Sequence, residues 1–86
     1  MILWYENMKG IIKIYGKDYT SEGKDVKECL ENLPYKGFSR VISTLTIKDN
    51  EKEKSVVLYP RQTQRLFSLS PMMKEIAVKQ IGMRFT

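Results

Sequence analysis

Two arginines, two glutamines and several hydroxyls stand together in Tyr59-Pro60-Arg61-Gln62-Thr63-Gln64-Arg65-Leu66-Phe67-Ser68-Leu69-Ser70-Pro71, the stretch of this 86-residue chain best equipped to hold a ligand. These groups donate and accept hydrogen bonds in several directions. If Arg61 and Arg65 lie one helical turn apart, their guanidinium forks share a face and can grip an anion in bidentate fashion. Ser70-Pro71 reads as a helix start. The free amides of its first turn, near Met72 and Met73, would attract an anion, and Lys74 would add a positive charge. The expected anion site is therefore Arg61, Gln62, Gln64, Arg65, Ser70 and Lys74. The competing reading leaves Gln62, Thr63 and Gln64 to solvate a loop, makes Ser70 only a helix cap, and puts Leu66 and Phe67 in the core.

The charge distribution supports the anion reading. Of the net +5, residues 1–54 supply +1 (ten Lys/Arg against nine Asp/Glu), whereas residues 55–86 supply +4 (five against one). A basic surface in the C-terminal third attracts phosphates or an acidic protein face, although a solvated surface without a specific partner has the same composition. The charge run Lys48–Lys54 holds three lysines and three acids, so it is neutral and reads as a solvated loop.

Other chemistries lack their residues. There is no histidine, which removes the commonest general base, the partner of serine and cysteine nucleophiles, and the commonest metal ligand. The single cysteine, Cys29, falls on the apolar side of a helix and reads as a small buried hydrophobe. The glycines form no phosphate-cradling spacing, and no alternation of acids makes a calcium loop. No enzyme activity, cofactor or metal is expected.

The elements that would position these groups follow from periodicity. Met8–Gly16, a turn at Gly16-Lys17-Asp18 and Tyr19–Ser21 read as a first β-hairpin, with Ile12 and Ile14 on its core face. From Lys24 to Leu33 the apolar residues Val26, Cys29, Leu30 and Leu33 recur at i, i+3, i+4 and i+7, which is one face of a helix. Ser21 or Gly23 can begin that helix, and Pro34 ends it. Phe38, Val41, Ser43, Leu45 and Ile47 lead to the neutral tip, from which Ser55–Tyr59 returns as a second hairpin. Pro60 then stops the strand, and Arg61–Phe67 is expected to form a single helical turn. The last helix follows Ser70-Pro71, with Met72, Met73, Ile76, Ala77 and Ile81 on its apolar side and Gly82 as its stop. Glu22–Leu33 resembles strand-to-helix junctions of small bacterial and phage proteins, a resemblance that implies no function.

The expected fold is thus a single α+β domain over 1–86 in ββαββα order, an antiparallel sheet with two helices packed on one face. Its core would include Val26, Leu30, Leu33, Leu45, Ile47, Ile76 and Ile81. Residues 1–7 would add a further strand or an interaction segment, since Leu3, Trp4 and Tyr5 are too apolar to leave in water. The run Met1–Tyr5 is too short to span a bilayer and lacks the features of a signal peptide, so a cytoplasmic, membrane-free setting is expected. With no disulfide in so short a chain, self-association to a homo-oligomer is expected.

The functional expectation is a non-enzymatic module binding nucleic acid or a phosphorylated nucleotide through the basic third. The alternative is a small phage-type or mobile-element protein that inhibits or sequesters a protein or ligand, using its N-terminal apolar segment for assembly.

Overall fold

Strict alternation builds the first strand, β1 (Met8–Ile14), which buries Met8, Gly10, Ile12 and Ile14 and turns Lys9 and Lys13 to solvent. The computed structural model describes residues 8–36, 40–50 and 52–82. Within them β1 pairs antiparallel with β2 (Lys17–Gly23) and, on its other side, with β3 (Ser43–Asp49), which pairs in turn with β4 (Lys52–Leu58). The strand order is β2-β1-β3-β4 in a four-stranded antiparallel sheet. Helix α1 (Val26–Asn32) joins the two hairpins, and α2 (Pro60–Ser68) and α3 (Pro71–Gln80) follow β4.

The domain is therefore a small compact α+β unit with three helices, and its order is ββαββαα rather than ββαββα. The additional helix, α2, stands where a single turn was expected. Pro60 sits at its first position with a preset φ, the Gln62 side chain accepts from the Tyr59 N–H at 2.9 Å, and Thr63, Leu66 and Phe67 give it a buried side.

Both hairpins also turn elsewhere than the sequence suggested. The first turns at Tyr15-Gly16, not Gly16-Lys17-Asp18. Both residues have positive φ (53° and 79°) and Ile14 pairs directly with Lys17, the geometry of a two-residue turn matched to strand twist. In the second, the run Lys48–Lys54 is mostly strand: Lys48 faces Glu53 and Asp49 faces Lys52 across the ladder, and Asn50 turns the chain with φ 59°. Opposite charges on facing residues let a wholly polar sequence hold strand pairing.

The buried face of the sheet carries the core, with Ile12, Leu45, Ile47 and Leu58 almost fully excluded from solvent. Helix α1 packs on β2 and β1 through Val26, Cys29 and Leu30, and Leu33 beyond its end is also buried. Asp25, rather than Ser21 or Gly23, is its N-cap, accepting from the Glu28 N–H at 2.8 Å, while Glu28 accepts from the Lys24 N–H at 2.9 Å. Buried bonds tie α1 to the sheet: Ser21 Oγ donates to the Cys29 carbonyl at 2.6 Å, and Cys29 Sγ donates to the Met8 carbonyl at 3.2 Å. Burial first, and then Asp25, push the Cys29 thiol up to about 11, so it stays protonated at neutral pH.

The expected core holds except in α3. Ile76 and Ile81 are exposed, at 43% and 38%, and Val78 is the buried residue instead. The apolar residues of α3 cover too wide an arc for one contact face. Helix α3 packs against α1 with the side bearing Val78, which leaves Met72, Met73, Ile76 and Ile81 outward.

Helix α2 is anchored by a buried polar pair. Thr63 Oγ1 lies 2.8 Å from Ser43 Oγ and donates to the Leu58 carbonyl at 3.3 Å, so the Ser43 hydroxyl donates to Thr63. Thr63→Val keeps the shape but strips Ser43, itself 1% exposed, of its acceptor. A loss of about 1–3 kcal/mol is expected, with a smaller loss for Thr63→Ser, both measured by urea unfolding. No loss for Thr63→Val, with Thr63→Ser the more damaging of the two, would mean that packing alone seats α2.

Candidate binding cleft

The amphipathic turn pattern of α2 decides where the sequence-marked arginines go. With Thr63, Leu66 and Phe67 turned inward, Arg61 and Arg65 lie on the exposed side, four positions apart and hence on one face. Among the described residues neither pairs with a carboxylate. Across from α2, the outward side of α3 presents Met73, Ile76 and Ile81. Between the two helices, over Leu58 of β4, runs an open cleft of about 320 Å³ walled by Leu66, Leu69, Met73, Ile76, Ala77 and Ile81. Its polar lining is Gln62, Arg65 and Gln80, and no acid lines it.

The six residues of the expected anion site do not converge. Arg65 and Gln62 line the cleft, with the Gln62 carbonyl oxygen already engaged by the Tyr59 N–H, and Arg61 flanks it one turn away. Gln64 is turned elsewhere and accepts from Arg40 Nε at 2.8 Å. Ser70 is the N-cap of α3 but makes no side-chain capping bond. Lys74 projects from the other side of its helix, its Nζ 5.4 Å from the Phe67 ring centroid, where burial lowers its pKa against the opposing pull of Glu31. Leu3, Trp4 and Tyr5 lie outside the described residues, as does Phe38.

Compared with known protein families, curated proteins and solved structures, the chain shows no match. Its function has to be read from the site itself.

Two further features bear on that reading, the first of them the core placement of Phe67 that the competing sequence reading gave. Phe67, a residue suited to stacking on a base, is buried at 7% exposure with its ring edge-on to Tyr35 at 5.2 Å, and Tyr35 in turn contacts Tyr19 at 6.0 Å. It is a core aromatic, which leaves Tyr59 as the exposed ring near the cleft. The outer face of the sheet, a second open surface, is self-neutralised: Lys13 pairs with Asp18 at 4.0 Å and Lys48 with Glu53 at 3.6 Å beside a shallow hollow at Ile11, Thr44 and Thr46. The signal that could have located the cleft was the breadth of the apolar arc on α3. Among the described residues no group of three metal-ligating side chains gathers, no buried side-chain polar atom lacks a partner, and no helix is long and apolar enough to cross a membrane.

Proposed function

We propose that this domain is a non-enzymatic binding module that recognises an anionic partner through α2, with Arg61 and Arg65 as the gripping residues. The observation that carries this reading is the pair itself: two exposed guanidinium groups on one helix face, neither neutralised by a carboxylate among the described residues. An exposed, unpaired guanidinium retains its full donor capacity for phosphate or carboxylate oxygens. The surrounding charge has the matching sign, since residues 60–82 hold Arg61, Arg65, Lys74 and Lys79 against Glu75 alone. Such a field steers an anion towards α2 before contact. The expected setting is the cytoplasm.

The double variant Arg61→Gln/Arg65→Gln tests the reading. It is expected to melt within a few degrees of the parent, because both side chains are exposed. Its affinity for a labelled single-stranded oligonucleotide or a labelled glutamate-rich peptide, followed by fluorescence anisotropy at two salt concentrations, should fall about tenfold or more through loss of charge-assisted bonds. Parent binding should weaken with salt. Unchanged affinity for both probes in a folded double variant would remove the arginines from the site.

A second reading, that the protein inhibits or sequesters another protein, is favoured by the exposed apolar side of α3, where Met72, Met73, Ile76 and Ile81 are all 38–63% accessible. Assembly into a homo-oligomer would use the N-terminal apolar segment with Leu3, Trp4 and Tyr5.

A further inference from the structure

Resting on the reading of α2 as an anion-gripping helix, we propose that the partner is an acidic amphipathic helix of another protein, whose apolar side fills the α2–α3 cleft and whose carboxylates meet Arg65 and Arg61. Arg65 connects the two halves of this proposal, because it belongs both to the arginine face of α2 and to the wall of an otherwise mainly aliphatic cleft. A partner that satisfies both must be apolar where it enters and anionic where it leaves.

The walls decide against a nucleic acid as occupant. Leu58, Leu66, Leu69 and Ile76 offer phosphates and sugar hydroxyls no hydrogen bonds, so seating a polynucleotide there would desolvate polar groups without compensation. A helix laid into a groove between two helices places aliphatic side chains at i, i+3 or i+4, and i+7 along it, and Met73 on the wall can adapt its three torsions to them. Gln62 and Gln80 at the polar edges suit the flanks of such a helix.

Charge decides against a second copy of the chain. Two α2–α3 faces brought together by a two-fold axis would set the Arg61 and Arg65 pair of one copy against that of the other, while Glu75, paired to Lys79 at 3.5 Å, is not free to offset them. No acid lines the cleft to receive a basic partner's counter-charge or to repel an acidic one. The complementary surface is acidic.

The probe is a displayed library of random 16-residue peptides selected against the full chain, with enriched sequences synthesised and titrated. Enriched peptides are expected to combine the helical apolar spacing with Asp or Glu beside it. Ile76→Asp, which puts a carboxylate on the exposed wall, should weaken them roughly tenfold or more. Met73→Ser provides a milder second variant in case Ile76→Asp perturbs the fold, and circular dichroism checks both. Arg65→Gln should also weaken them and flatten their salt dependence. Failure to enrich acidic apolar peptides, or enriched peptides that bind both cleft variants as well as the parent, overturns the proposal. So does a concentration-dependent dimer in sedimentation that Ile76→Asp abolishes, since a second copy then covers the cleft. If an oligonucleotide binds through Arg61 and Arg65 but is indifferent to Ile76→Asp, the helix proposal falls and anion recognition by α2 stands. If peptides depend on Ile76 but not on the arginines, the anion reading itself falls.

Discussion

Leu30→Ala is expected to lower the unfolding free energy by about 2–5 kcal/mol. The side chain is 1% exposed and lies where α1 meets β1 and β2, so truncation removes transfer energy and leaves a cavity that the two hairpins, hydrogen-bonded to each other, cannot collapse to fill. Total stability of about 5–15 kcal/mol is usual for a domain, and a chain this short with no disulfide sits at the lower end. A large share of the Leu30→Ala molecules should be unfolded at physiological temperature. Urea unfolding should show a lower midpoint with unchanged slope. A loss under about 1 kcal/mol would mean that α1 does not bury this face.

Gly23→Ala should be nearly as damaging, for the opposite reason. A Cβ built at Gly23 would lie 2.7 Å from the Cys29 nitrogen, 2.7 Å from Glu28 Cβ and 2.8 Å from the Glu28 carbonyl carbon. Two of these are backbone atoms, which no rotamer change can move. Helix α1 must therefore back away from β2, which stretches the Ser21–Cys29 bond of 2.6 Å and the Cys29–Met8 bond of 3.2 Å. Overpacking of this kind costs about 1–3 kcal/mol or more. Thermal unfolding would measure it, and amide exchange should quicken in both α1 and the end of β2. A variant with parental stability and exchange would show that the close approach is not needed.

How legible the fold was depended on whether one residue pattern served one purpose. Val26, Cys29, Leu30 and Leu33 repeat at helical spacing with Pro34 behind them, and α1 was legible down to its buried face. Ile12 and Ile14 fixed the core side of β1 by alternation. The hairpin ends were not legible, because strand pairing between Lys48 and Glu53 depends on facing charges that only the register brings together. Helix α2 looked like a single turn because its inward side is part polar: Thr63 is fully buried with its hydroxyl bonded to Ser43, twenty positions away, and to the Leu58 carbonyl. For α3 the helix could be read but not its inner face, since Met72, Met73, Ile76, Ala77 and Ile81 point in too many directions for apolarity to choose among them. The same division runs through the candidate site. The spacing of Arg61 and Arg65 is local and could be seen in advance. The engagement of Gln64 by Arg40 and of Lys74 with Phe67 is tertiary and could not.

The strand order carries a consequence for how the chain reaches its folded state. Each hairpin closes a short loop, but the ladder that unites them, β1 against β3, joins Ile14 to Ser43 and Lys9 to Lys48, partners some 30 to 40 positions apart with α1 between them. That seam carries the loop-closure entropy of the whole intervening segment, and contacts of such separation slow folding. Helix α1 shortens the effective span once it docks on β2, because it brings the start of the following connection back along the sheet. A two-stranded hairpin alone is marginal in water, so it is the joining of the two along this central ladder that completes a stable sheet and makes the fold cooperative.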